Sequence, residues 1–186
     1  MRRSLRRAKR TGGAATQRLI LVRDEQGITR SVFEAAGTET VRVFRAAGVK
    51  VSVTICFRQE TGNPELCRVS PNAKQFLILN AVRRASHSSG AELCGQAFLG
   101  EDGFGRYADL FLDRIEIIHK LHGIVVRQLL GAVAAHEAGH LLLGFGAHSF
   151  TGIMKPFWES EDFRQVGMGA LVFTPQQARL IQSRLN

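Results

Sequence analysis

The apolar positions change period along the chain. Leu19 to Val22 is a short apolar run that predicts a buried strand, followed by turn chemistry at Asp24 to Gly27. Ser31-Val-Phe-Glu34 has the form of a capping box, which predicts a helix opening there and running to about Ala47, with Gly48 as its stop. Val49, Val51, Val53 and Ile55 then alternate with Lys50, Ser52 and Thr54, the period of a half-buried strand. Phe76 to Val82 predicts another strand, and Arg83 to Gly90 is polar and reads as loop. Gln96 to Leu99 is a short strand candidate, Gly100 to Gly105 a glycine-rich turn, and Ala108 to Leu112 a further strand. From about Arg114 the step lengthens. Ile118, Leu121, Val125, Leu129 and Val133 recur every three or four residues, which predicts one long helix ending near Leu143 and Gly144. Thr174 as N-cap and Pro175 as first helical residue predict a closing helix to about Leu185.

This order of elements points to an α+β class. Its strand–helix–strand opening favours a parallel pair. A length of 186 residues suits one domain, expected over residues 18–186 behind a disordered basic tail at residues 1–17. No apolar run is long enough to span a bilayer.

The net charge of +9 suggests nucleic acid until it is located. Arg2, Arg3, Arg6, Arg7, Lys9 and Arg10 supply six of those charges, leaving the body at +3. Such a body, without a basic–aromatic surface pattern, gives no expectation of specific nucleic-acid binding, and the tail reads as a solvated arm. The start holds no clear export signal, since its apolar stretch is too short; an Arg-rich, acid-poor start also fits an organelle transit peptide. Cys56 and Cys67 bracket a polar loop, so a disulfide there suits an oxidising compartment, and buried thiols together with Cys94 suit a reducing one.

Candidate chemistry concentrates in Ala135-His-Glu-Ala-Gly-His-Leu-Leu-Leu-Gly-Phe-Gly-Ala-His-Ser149. Residues four apart are neighbours on one helical face, so His136 and His140 can point ring nitrogens at one ion. Glu137, beside the first of them, is placed to take a proton from a water at the ion's open side. A hydrolytic zinc site needs a third protein ligand, and His148 is the candidate. On a continued helix it would lie about 12 Å beyond His140, so the chain must fold back, as Gly144 and Gly146 permit. The rival third ligands are Glu159 and Glu161, which follow in a stretch that reads as an exposed acidic loop. His87, His119 and His122 read as surface residues.

The segment resembles the metzincin clan of zinc peptidases, whose pattern is H-E-x-x-H-x-x-G-x-x-H followed by a turn bearing a methionine. His136-Glu-x-x-His140, Gly144 and His148 follow that order, and Met154 fits the Met-turn. The spacing departs from it, with eight steps from His140 to His148 instead of six. The chain is also similar to small bacterial metzincin-like peptidases with an H-E-x-G-H-L-L-L-G…H-S-x-x-G-I-M run. The resemblance implies a twisted mixed, mostly parallel sheet of four to five strands, packed on a backing helix and the long active-site helix, with a C-terminal helix. It implies one zinc ion on His136, His140 and His148, Glu137 as general base, and an exported endopeptidase; a monomer is the expected state. A peptide or protein substrate would lie along an antiparallel edge strand, for which Gln96 to Leu99 is the candidate. Tyr107, the only tyrosine, reads as partial core. The alternative function is a non-catalytic zinc-binding module with a structural or partner-binding role.

Overall fold

The computed structural model describes residues 17–23, 29–57, 67, 76–83 and 93–185. Of the basic tail expected at residues 1–17, residues 1–16 lie outside them, as do the turn expected at Asp24 to Gly27 and His87, while Gln17 already belongs to the first strand. In chain order the described elements are β1 (Gln17–Arg23), α1 (Arg30–Ala46), β2 (Val51–Phe57), β3 (Phe76–Val82) and β4 (Gly95–Leu99). They continue with β5 (Gly105–Phe111), α2 (Leu112–His122), α3 (Val126–Leu143), α4 (Ser160–Gly167) and α5 (Pro175–Leu185). The class is α+β. The strands form one sheet in the order β2-β1-β3-β5-β4. β1 runs parallel to β2 and β3, and β3 parallel to β5, while β4 is antiparallel to β5 and forms an edge.

α1 and α3 approach each other closely because small residues meet at the crossing. A Cβ on Gly131 would stand 2.6 Å from the Ala36 carbonyl oxygen. The buried Thr40 hydroxyl lies 3.0 Å from that same oxygen and 3.1 Å from the Gly131 carbonyl. Phe33, Val43 and Phe44 of α1, Leu79 of β3 and Leu129 and Leu130 of α3 are buried in one continuous core. That core fixes α3 against the sheet, which later decides where its polar residues point.

Three local expectations are corrected. The capping box at Ser31 does not form: α1 opens at Arg30 after Thr29, and the Ser31 hydroxyl lies 3.2 Å from that of Thr29. The long helix expected from Arg114 is two helices. Gly123 takes a left-handed conformation (φ 65°) that ends α2, and the His119 Nδ1 sits 2.6 Å from the Ile124 carbonyl across the break. Leu121, which carries the apolar period through this point, is 73% exposed. Thirdly, the stretch expected as an acidic loop starts α4. The Glu159 side chain caps the backbone of Asp162, and the Asp162 carboxylate accepts from the Glu159 N–H at 2.9 Å.

At the C-terminus, the Gln177 N–H donates to the Thr174 hydroxyl at 3.3 Å, and the Gln177 Oε1 accepts from the Thr174 N–H at 3.0 Å. Cys56 and Cys67 are joined by a disulfide, and Cys94 is a free thiol. Among the described residues no helix is long and apolar enough to cross a membrane.

Candidate metal centre

α3 is apolar and buried on nearly every side, so its few polar residues must be satisfied by neighbours rather than by water. His136 meets this demand with one nitrogen. Its Nδ1 lies 2.7 Å from the Ile153 carbonyl oxygen. A carbonyl only accepts, so Nδ1 carries the proton and Nε2 presents a lone pair. One helical turn on, the His140 Nε2 lies 3.1 Å from that atom. The third imidazole arrives from the loop after α3. The His148 ring centroid is 4.7 Å from that of His140 and 5.8 Å from that of His136. One donor nitrogen from each residue lies within 4.8 Å of the others, close enough to bind a metal ion together. In a tetrahedral site with metal–nitrogen bonds of ~2.0–2.1 Å, nitrogens stand roughly 3.3 Å apart. The helical pair is already near that separation, so the remaining slack belongs to His148.

The return of the chain depends on Gly144 and Gly146, both in the left-handed region at φ 83° and 71°. A side chain on Gly144 would also press on the Gly103 carbonyl, 2.8 Å from its Cβ. Gln177 of α5 then holds both flanks of His148. Its Nε2 donates to the Ala147 carbonyl at 3.0 Å and to the Ser149 hydroxyl at 2.9 Å. With its Oε1 taken by the Thr174 cap, the buried amide has partners at both ends.

Met154 is fully buried and packs beneath the helical turn that bears the two histidines. A Cβ on Gly139 would stand 2.6 Å from the Met154 sulfur and 2.8 Å from Phe173. A side chain on the glycine between the histidines would therefore push on the methionine and phenylalanine below it. Trp158, beyond the turn, sets its ring edge-on to His136 and donates its Nε1–H to the Ile153 carbonyl at 3.1 Å.

Glu137 is buried against the edge strand. Gly95 of β4 leaves the room it needs, since a Cβ there would lie 2.7 Å from the Glu137 Cγ and Oε1. The carboxyl group accepts a hydrogen bond from the backbone of Ala97. Burial raises it to about 8, against the smaller opposing effect of that bond. The imidazoles move the other way. Burial pulls His136 down to about 4, and burial with the charges of His136 and His148 pulls His140 down to about 3. Partial desolvation lowers His148 as well. At neutral pH the cluster is three uncharged imidazoles, the state in which imidazole ligates metal.

The structure thus brings His136, Glu137, His140, His148 and Met154 together and leaves the rival acids outside the cluster. Glu159 pairs with Lys155 at 3.2 Å and Glu161 with Arg164 at 2.7 Å, both with exposed carboxylates. His119 is spent on Ile124, and the His122 ring stacks 4.3 Å from that of Phe163. Gly95, Trp158 and Gln177 were not foreseen. Only Gln177 carried a signal, as the third residue after the Thr174 cap, and that signal concerned the helix rather than the site. Neither the models of known protein families nor the curated proteins compared with this chain give a match.

Proposed function

We propose that this chain is a zinc-dependent endopeptidase of metzincin-like architecture. In this reading His136, His140 and His148 hold the ion and Glu137 is the general base. The observation that carries it is the company Glu137 keeps. A buried carboxyl group stands beside three imidazole donors without being one of them, in a notch that Gly95 leaves open. Structural zinc sites close with four protein ligands, whereas hydrolytic ones use three and keep a position free. Among the described residues the cluster contains three donors.

Zinc held there supplies a Lewis acid and a positive charge, which bring a water's pKa towards neutrality and favour the ionised form of Glu137. The rest falls to the chain. The His136 Nδ1 bond to Ile153 keeps its Nε2 lone pair facing the site. The Ala97 N–H holds the Glu137 carboxylate while it accepts a proton from water and later returns it to the departing amine. The edge position of β4 supports a substrate lying extended beside it, with main-chain hydrogen bonds setting its register.

The test is metal content and turnover on the same preparations. Wild type should carry one zinc per chain and cleave an unfolded protein substrate. Glu137→Ala should keep its zinc and lose about 10²- to 10⁴-fold in kcat, the usual contribution of a positioned base. Zinc retention with no cleavage by wild type would favour the non-catalytic module.

A further inference from the structure

A cavity of about 460 Å³ opens beside the histidine cluster. Its wall runs from Val133, His136 and Glu137 on α3 to Trp158 and Phe163 beyond Met154. It is therefore continuous with the place where, in the peptidase reading, the scissile bond sits. A peptide crossing that place turns a neighbouring side chain, or its own end, into this cavity.

The charges around the cavity are unequal in their satisfaction. Lys155 is neutralised by Asp162 at 2.6 Å and Glu159 at 3.2 Å. Arg114 of α2 lines the same space, and its Nε is buried with no hydrogen-bond partner among the described residues. Among the described residues no carboxylate forms an ion pair with it. The Cys94 thiol nearby is no counter-ion, because burial pushes it up to about 12. A buried guanidinium donor without an acceptor costs free energy that a bound acceptor would recover. The planar fork of arginine matches a carboxylate with two parallel bonds, and matches neutral side chains poorly.

We infer that this cavity is a carboxylate subsite held by Arg114, so that the preferred substrates place an acidic side chain or a free C-terminal carboxylate next to the bond at the cluster. The position of the cut rests on the peptidase reading, and the capture of the carboxylate does not. Trp158 is the only tryptophan and lines the cavity, so its emission reports binding without turnover.

The experiment titrates zinc-loaded Glu137→Gln protein with N-acetylated hexapeptides that differ only in an internal Asp or Leu and in a free or amidated C-terminus. The same titration is run with Arg114→Leu and Arg114→Lys added, their folds checked by circular dichroism. A carboxylate should tighten binding by about tenfold or more, and Arg114→Leu should erase the gain while Arg114→Lys keeps part of it. The arm that shows the gain, internal or terminal, names the source of the carboxylate. Equal affinity for all four peptides overturns the inference, and so does a gain that survives Arg114→Leu. If Arg114→Leu does not fold, Arg114→Lys decides, since an undiminished gain there overturns bidentate capture. A gain in binding with no cleavage by the Glu137 parent would sink the peptidase reading and leave the subsite standing.

Discussion

His136 and His140 stand on a helix buried on nearly every side, whereas His148 stands on a loop with an exposed side chain. The helical pair inherits its spacing from the backbone hydrogen-bond ladder, and its Nε2 atoms are 3.1 Å apart before any ion is considered. His148 has no such ladder. Its position rests on two glycines at positive φ, on the Ser149 N–H bond to the Met154 carbonyl at 3.0 Å, and on one glutamine from another helix. The contrast teaches that a cluster of three imidazoles can combine a rigid pair with a third that must be held by support from outside its own segment. Such support is as exposed to mutation as the imidazole it holds.

The sharpest way to break this contrast is to remove one member of each kind. His140→Ala should abolish stoichiometric zinc, because it splits the pre-set pair. His148→Ala should leave weak, two-ligand binding that a mild chelator strips, and Glu161→Ala should bind like wild type. Metal analysis after dialysis against graded chelator checks all three, and full zinc affinity in His148→Ala would refute the assignment of the loop ligand. A smaller effect is expected from Gln177→Ala, which leaves every ligand in place. It should lower zinc affinity about 10- to 100-fold, the usual cost of losing an outer partner. Its circular dichroism should keep the helical signal of α3. Unchanged affinity would mean the loop holds its shape unaided.

The mildest test uses pH. Without metal, His136 and His140 titrate near 4 and 3 when folded, against 6.5 when unfolded. Their folded values are depressed, so the unfolded chain takes up protons first as pH falls below 6.5. Stability from these groups is present above 6.5 and is lost as pH drops towards 3 to 4. Glu137 has the opposite sign: its contribution is present below 4.5 and is lost as pH rises through about 8. The Tm of the metal-free protein should therefore fall from pH 6.5 to 4, and less steeply in His136→Asn. A flat profile would show that the imidazoles are not buried neutral groups.

The helical half of the site was legible because a four-residue spacing on a 3.6-residue period is a local fact. His148 was legible as a residue type near two glycines, though its support was not. Gln177 lies 29 residues away on another helix, and its contact with Ala147 is a product of the fold. Gly95 and Arg114 are silent in sequence for the same reason. The split between α2 and α3 was hidden because Leu121 and Val125 continue the apolar period across Gly123 while facing outwards. α4 was hidden because its cap is Glu159 with Asp162, an acidic pair that reads as solvated loop. Strands were easier, since alternation and apolar runs survive without knowledge of partners.

The Ile153 carbonyl oxygen accepts from two rings at once, the His136 imidazole and the Trp158 indole. One ring belongs to the histidine cluster and the other walls the adjoining hollow. Any shift of that peptide plane is transmitted to both, so the set of the cluster's first imidazole and the width of the neighbouring recess are two readings of a single atom's position.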